Sequence, residues 1–250
     1  MAYQPASVSR STRKPPPGRT ETRAMELPFT AEQFFGVCRA YNTTLWPVQM
    51  FLLALAGLAV VLVMWPRRWS GVGVSAVLAF LWGWMGLAYH LAFFTAISPP
   101  AYAFAAVFVA GALVLLWQGV VRRRLEFRWQ ADARGVTGLL LVVYALVVYP
   151  AWSHFAGRPY LETPTFGLPC PTTIFTMGLL ACLVRPYPRS VFVVPVLWSL
   201  VGVQAAFLLS VPQDLGLAVV AVVGLALISR PRSTAASSPA PSPEAAGAVP

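Results

Sequence analysis

Long stretches without charged residues alternate along this chain with short segments that contain arginine. No Asp, Glu, Lys or Arg occurs in residues 40–66, 69–121, 135–157, 163–184, 190–213 and 215–229. A helix that crosses the hydrocarbon core of a membrane needs about 20 mostly apolar residues. The interval 69–121 has room for two such helices separated by a turn at Ser98, Pro99 and Pro100. The pattern therefore predicts seven spans, near residues 46–65, 72–94, 100–121, 135–152, 171–184, 190–209 and 213–229.

The fifth predicted span, 171–184, is the shortest. Its fourteen residues would rise about 21 Å, whereas the hydrocarbon core is about 30 Å thick. A half-helix or a re-entrant segment is therefore an open alternative here. On the second span, Gly71, Ser75, Ala79 and Gly83 recur every four residues, and such a stripe of small residues predicts a close helix–helix contact.

The two ends of the chain differ in composition from its centre. Residues 1–24 form a basic tail rich in Arg, Ser, Thr and Pro, and residues 230–250 are rich in Pro, Ser and Ala. Neither segment has enough apolar surface to offset the entropy lost on ordering, so both are predicted to be disordered. Residues 46–229 are predicted to form the transmembrane helical domain.

Residues 25–45 separate the basic tail from the first span. Thr30 followed by Gln33 is a capping-box pattern, and apolar residues then recur at helical spacing at Phe34, Cys38 and Tyr41. The segment is predicted to be an amphipathic helix at the membrane interface. A structured loop that leads into the first span is the alternative.

Arginines divide unequally between alternate loops. Eleven lie after the first, third, fifth and seventh spans, and one, Arg158, lies in the intervening loops. Because positively charged loops stay in the cytoplasm, the protein is predicted to lie in the cell membrane with its N-terminus outside and its C-terminus inside.

Composition agrees with a membrane protein. Hydrophobic residues make up 58% of the chain and charged residues 10%, whereas soluble domains carry about 25% charge. The fold class expected is an all-α, polytopic transmembrane bundle whose surrounding partner is the lipid bilayer. The net charge of +10 comes from arginines at helix ends, which argues against a nucleic-acid partner.

Several strings resemble an uncharacterised bacterial membrane family, domain of unknown function 6064. They are MELPFTAEQFFGVCRAYNTTLWPVQ, WMGLAYHLAFFTAISPPAY, PTFGLPCPTTIFTMG and VPVLWSLVGVQAAFLLSVPQDLGL, and the resemblance covers about residues 25–229. It implies a bacterial multi-pass membrane protein and no particular activity. It also implies a histidine after the glycine of loop 152–160, where this chain has Arg158.

Polar groups that could bind a ligand gather on the predicted outer side. They are His90, His154, Glu162, Cys170, Thr172, Thr173 and Asp214. Intramembrane polar groups are costly and often functional. Each of three residues also has a purely structural interpretation. His90 could lie in the headgroup layer, Asp214 could cap a helix, and Glu162 could be a solvated carboxylate.

The start of the fifth span is the best candidate for an anion site. With Cys170 as the cap and Pro171 as the first helical residue, the amides of Thr172 and Thr173 are expected to lack helical partners. Together with the helix dipole they would attract an anion or a polar head. A rigid loop that only ties two helices together is the alternative.

Three classes of function stay open. The first is permease-like binding or passage of a small solute or anion at an outer pocket, and the second is a non-catalytic protein that binds lipid or a partner subunit. The third is an enzyme with an outer metal site, although no metal-binding spacing, nucleophile elbow or phosphate loop is present. Whether the protein binds a cofactor stays unknown from the sequence. A Cys38–Cys170 disulfide is possible at the outer side, and Cys182 is expected to be buried.

Overall fold

Helices account for nearly all of the regular structure. The computed structural model describes residues 28–229, so the predicted tails 1–24 and 230–250 and the first residues of segment 25–45 lie outside it. Within that range β-pairing is limited to two isolated bridges. The α-helices are α1 Ala31–Met64, α2 Ser70–Trp84, α3 Ala101–Leu115, α4 Ala133–Val143, α5 Tyr149–Phe155, α6 Pro169–Ala181, α7 Ser190–Leu208 and α8 Gly216–Ser229. The predicted all-α bundle is confirmed.

Three π-helical segments extend or join these helices. Met85–Leu91 continues α2, Leu116–Val121 continues α3, and Tyr144–Val148 joins α4 to α5. Short 3-10 turns lie at Phe94–Ala96, Tyr160–Glu162 and Pro212–Leu215. Within the described residues, six continuous helices are thereby long and apolar enough to cross a membrane, namely 31–64, 70–96, 101–121, 133–155, 190–208 and 212–229.

The predicted fifth span is the short central helix α6. It has 13 residues, all buried, and a rise of about 20 Å. Before it, the Gly167 carbonyl accepts a hydrogen bond from Tyr41 at one end of the bundle. After it, the Cys182 carbonyl accepts one from the Arg128 amide at the other end. The chain therefore passes through the bundle here, and the re-entrant alternative is wrong.

Two non-helical segments close the bundle above and below α6. The segment 163–168 precedes it and is buried. After the π-helical end of α3, segment 124–130 folds inward, burying Leu125 and Phe127 and accepting a hydrogen bond from the Val184 amide at Glu126. Irregular backbone is tolerated at membrane depth where protein satisfies its polar groups, which explains how so short a helix fits.

The loops gather at two ends, as the alternating arginines predict. At the arginine end, which comprises residues 65–69, 122–132 and 182–189, the Trp129 amide donates to Val63 and the Tyr187 hydroxyl to the Leu227 carbonyl. The opposite end comprises the start of α1 with residues 92–100, 156–168 and 209–215. Which end faces the cytoplasm stays a prediction.

The first part of α1 is amphipathic. Thr30 and Gln33 form the predicted capping box, and the helix buries Phe34, Cys38 and Tyr41 against the opposite end of the bundle. The helix then kinks at Leu45, because the ring of Pro47 prevents regular helical packing of the preceding turn. The kink separates this capping segment from the membrane-length remainder.

The stripe of small residues on α2 is a packing seam, as predicted. A Cβ on Gly71 would lie 2.3 Å from the Leu125 carbonyl oxygen. Gly119, at the end of α3, is so close to Ser75 that a Cβ there would overlap its side chain. The close approach places α2 and its π-helical extension directly beside α3.

Candidate functional site

An apolar cavity of about 170 Å³ lies at the opposite end of the bundle. It is bounded by the π-helical extension of α2, the start of α3, the start of α6 and the second half of α7. Aromatic and aliphatic side chains dominate its wall, and none of the described lining residues is Asp, Glu, Lys or Arg. An engineered cavity of about 150 Å³ binds benzene, so this one has room for a molecule of that size.

His90 is the central polar group of the cavity wall. Its side chain is fully buried, and neither Nδ1 nor Nε2 has a hydrogen-bond partner among the described residues. The rings of Phe108 and Trp198 pack against the imidazole, with centroids 4.8 and 5.4 Å from the imidazole centroid. The alternative that His90 sits in the headgroup layer is therefore wrong. Leaving a buried polar group unpaired costs about 1–3 kcal/mol, which makes it a candidate ligand contact.

The local helix geometry helps to explain this position. His90 lies in the π-helical segment Met85–Leu91, and π-helical turns occur frequently at functional sites. A Cβ on Gly86, in the same segment, would lie 3.0 Å from the Ala105 carbonyl oxygen. The glycine therefore lets this segment approach α3 closely.

Trp198 and Cys170 supply two more polar atoms at the cavity. The Trp198 indole N–H has no hydrogen-bond partner within residues 28–229, and it lies beside the Cys170 sulfur. Trp198 was not predicted as a site residue. Because tryptophan is common in membrane helices, nothing in the string VLWSLVG distinguishes it from a packing residue.

Asp214 lies behind Cys170, away from the cavity wall. It is fully buried, and its Oδ1 accepts a hydrogen bond of 2.5 Å from the Tyr149 hydroxyl. Cys170 lies beside the same carboxyl group, while Oδ2 has no partner in the described part of the chain. The carboxyl group is thus engaged with α5 and α6, and the interpretation of Asp214 as only a cap of α8 is wrong.

The turn that carries Asp214 is held by hydrogen bonds from the neighbouring helix. Tyr144 donates to the Gln213 carbonyl at 2.7 Å, and the Gln213 side-chain amide donates to Ser153 at 2.9 Å. Together with the hydrogen bond from Tyr149, these contacts fix Gln213 and Asp214 against α5 and the π-helical segment that precedes it. The position of Asp214 is therefore fixed by these hydrogen bonds.

The start of α6 differs from its prediction. Its N-cap is Leu168, and both Pro169 and Pro171 lie in its first turn. The Thr172 amide donates to the Leu168 carbonyl at 3.3 Å, so the expectation that it lacks a helical partner is wrong. Since prolines have no N–H, few free amides remain here for an anion.

Thr172 and Thr173 are also separate from the cavity. The Thr172 hydroxyl accepts from the Gly167 amide at 3.0 Å, and the Thr172 carbonyl accepts from Thr176. Thr173 is buried with an unpartnered hydroxyl. The cavity wall includes Cys170 but neither threonine.

His154 and Glu162 are not brought to the cavity. His154 is exposed on α5, where its ring contacts Phe155. Glu162 forms an ion pair with Arg39, so it is not simply solvated. Only His90 and Cys170 among the predicted site residues line the cavity.

A buried polar network near the cavity was missed by the sequence reasoning. The Asn42 side chain donates to the carbonyls of Leu161 and Thr163, at 2.9 Å each. Gln49 donates to Asn42 and accepts from the Tyr160 hydroxyl. Burial raises the pKa of Tyr160 above its usual value. The spacing of two helical turns between Asn42 and Gln49 is the signal that points to one shared face.

The network is saturated, and its role is to fasten a loop. Asn42 also accepts a hydrogen bond of 2.7 Å from the Thr165 hydroxyl. Apart from the Gln49–Asn42 bond within α1, these contacts tie segment 160–165 to α1, and this segment leads into the start of α6. The network therefore positions the cavity wall at Pro164 and Cys170.

Metal and disulfide chemistry receive no geometric support. Within residues 28–229, no group of three or more His, Cys, Asp or Glu is placed to hold a metal ion. Cys38, Cys170 and Cys182 are free thiols, all buried, so the possible Cys38–Cys170 disulfide is not formed.

Comparison with known proteins identifies a family but no activity. Residues 31–238 match the model of a family of unknown function, DUF6064. Neither a curated protein nor a solved structure matches the chain. The match spans far more than half of the sequence and includes every helix from α1 to α8. The chain therefore belongs to the family of unknown function DUF6064.

Proposed function

We propose that this chain is a multi-pass protein of a bacterial inner membrane that binds a small uncharged solute in the cavity beside His90. The observation that carries the proposal is the fully buried imidazole, neither nitrogen of which has a hydrogen-bond partner within residues 28–229. A neutral imidazole has one donor and one acceptor. A solute with a hydroxyl or amide group would satisfy both needs.

The wall of the cavity defines the rest of the solute. Phe94, Phe104 and Trp198 offer rings to an apolar body, as is typical of small-molecule sites. The absence of a charged group from the described wall disfavours an anion. The solute class is therefore a compact molecule with an apolar body and one neutral polar group.

The floor of the cavity favours binding over a continuous passage. Phe108 contacts His90, and the rings of Phe108 and Trp82 stack at 4.9 Å. Both are fully buried, and Trp82 donates to Thr176 on α6. Passage of a solute in a permease-like cycle would require this layer to open.

The probe for this proposal is 4-fluorophenol, followed by fluorine NMR with purified protein in detergent. His90→Phe removes both unpaired nitrogens, and His154→Phe is the matched control because His154 is exposed on α5, outside this cavity. Loss of one well-placed hydrogen bond corresponds to about tenfold in affinity. We expect about tenfold weaker binding to His90→Phe and unchanged binding to His154→Phe.

Fluorobenzene separates the polar contact from simple partitioning. It lacks the hydroxyl group, so its affinity should be similar for wild type and His90→Phe. Equal affinity of 4-fluorophenol for these two proteins would refute the proposed role of His90.

A further inference from the structure

Three arginines surround a second cavity, at the arginine end. Arg128, Arg134 and Arg185 line a space of about 290 Å³ where α4 begins and α6 ends. The acidic member of its described wall is Asp132, which accepts the Gly135 amide as the N-cap of α4. The cavity is therefore net positive, in contrast to the uncharged cavity beside His90.

Arg134 is held in place by the protein. Its Nη2 donates to the Leu183 carbonyl at 2.9 Å, and its guanidinium lies 5.4 Å from the centre of the Tyr187 ring. Its Nε is buried and has no hydrogen-bond partner in the described residues. A guanidinium that is fixed but only partly used is preorganised for a further oxygen ligand.

The negative charges nearby do not neutralise this cavity. Arg128 pairs with Glu126 at 3.3 Å, and both side chains are more than half exposed. Among residues 28–229, no ion pair within 4 Å joins an acidic group to Arg134 or Arg185. An anion with two or more oxygens would complete the coordination that Arg134 and Arg185 lack.

An apolar stripe begins next to the cavity and runs along α4 and the π-helical segment Tyr144–Val148. Gly135 lines the cavity, and Val136, Leu140, Val143 and Val147 are then exposed at helical spacing. Leu140 is 64% exposed. A charged head in the cavity would place hydrocarbon chains along this stripe, which a free anion would leave unused.

We propose that the cavity at the start of α4 binds the phosphodiester head of an anionic phospholipid, with Arg134 and Arg185 as its ligands and the α4 stripe beneath its acyl chains. Basic pockets between membrane helices on the cytoplasmic side recognise such heads. The predicted orientation places the arginine end on that side. This inference is independent of the solute cavity at the opposite end.

The test uses the purified full chain, incubated with equal amounts of phosphatidylglycerol and phosphatidylethanolamine and analysed by native mass spectrometry. Wild type should retain phosphatidylglycerol selectively. Each arginine near an anionic surface contributes about fivefold to affinity, so Arg134→Gln with Arg185→Gln should reduce retention by about 25-fold. The control is Arg122→Gln, because Arg122 lies at the same end over Trp117 and outside this cavity.

Three results would overturn the proposal. The first is equal retention of the two lipids by wild type, and the second is an equal loss in Arg122→Gln, which would indicate general surface charge. The third is displacement of the lipid by millimolar inorganic phosphate, which would indicate a free-anion site. If the double variant does not fold, Arg185→Gln alone serves because that side chain is exposed, and unchanged retention in it would also overturn the proposal.

Discussion

His90 is buried among aromatic rings without a hydrogen-bond partner in the described residues. Such a side chain lowers the stability of the fold unless a ligand pairs with it. Replacement by Phe keeps the ring and removes the polar atoms. We therefore expect His90→Phe to raise the free energy of unfolding of the ligand-free protein by about 1–3 kcal/mol, measured by denaturant titration in detergent.

The control for this prediction is His154→Phe, at an exposed position. It should change stability by no more than about 0.5 kcal/mol. A loss of stability in His90→Phe would mean that the imidazole serves the fold, and the solute cavity would then lose its main support.

The Tyr149–Asp214 pair illustrates a polar contact that only the tertiary structure reveals. Tyr149 donates to Asp214 at 2.5 Å, and both side chains are buried. Tyr149→Phe would leave Oδ1 without this donor in a buried site, so we expect a loss of about 1–3 kcal/mol in unfolding free energy.

Tyr102→Phe provides the matched control, since Tyr102 is 65% exposed. It should leave the thermal midpoint nearly unchanged. If the Tyr149→Phe and Tyr102→Phe variants have the same thermal midpoint, the buried pair does not stabilise the protein.

At the level of the elements, α4 and α6 cross at two glycines. A Cβ on Gly178 would lie 2.8 Å from the Gly138 carbonyl oxygen, and one on Gly138 would lie 2.6 Å from the Gly178 carbonyl oxygen. Because the added Cβ would clash with a backbone oxygen in each case, a change of side-chain rotamer cannot relieve the clash. Gly178→Ala should therefore destabilise the protein by about 1–3 kcal/mol, measured as the shift in its denaturation midpoint.

Gly57→Ala is the control for the crossing. Gly57 is also helical, and a Cβ there would meet nothing within 4 Å. It should be neutral or slightly stabilising, because alanine favours the helix. Equal destabilisation by both substitutions would contradict the close crossing of α4 and α6.

The sequence predicted the helices better than their ends and irregularities. Charge-free intervals placed every membrane-length helix, because the absence of charge is the dominant requirement of a hydrocarbon environment. The π-helical turn around His90 and the inward fold of Leu125 and Phe127 were not predictable. Both depend on packing between segments distant in sequence, and local periodicity does not encode such packing.

The candidate site was predictable only in part. His90 stood out as the single histidine of interval 69–121, which has no Asp, Glu, Lys or Arg, and Cys170 as part of a proline-flanked helix start. Their meeting at one cavity with Trp198 depends on how α2, α6 and α7 pack. Thr172 was misjudged because the helix begins two residues earlier than the spacing of the prolines indicated.

For the whole molecule, the arginine end is predicted to face the cytoplasm. An alkaline phosphatase fused after Ser229 should be inactive, since this enzyme needs the oxidising periplasm, while a cytoplasmic fluorescent reporter at the same site should be active. The control is the same phosphatase inserted at Gly157, in the exposed loop of the opposite end, where it should be active. The reverse pattern would invert the orientation.

The central claim is that the cavity beside His90 opens outward and holds a small solute. Ala205 lines this cavity and is partly exposed, so Ala205→Cys places a thiol there, while the buried native cysteines of the wild type give the background. The most direct measurement is labelling of intact spheroplasts with a membrane-impermeant maleimide, with and without 4-fluorophenol. We predict that Ala205→Cys is labelled from outside and that 4-fluorophenol slows this labelling. When His90→Phe is also present, the same slowing should need about tenfold more 4-fluorophenol. Labelling that occurs only after permeabilisation, or that 4-fluorophenol leaves unchanged, would contradict the claim.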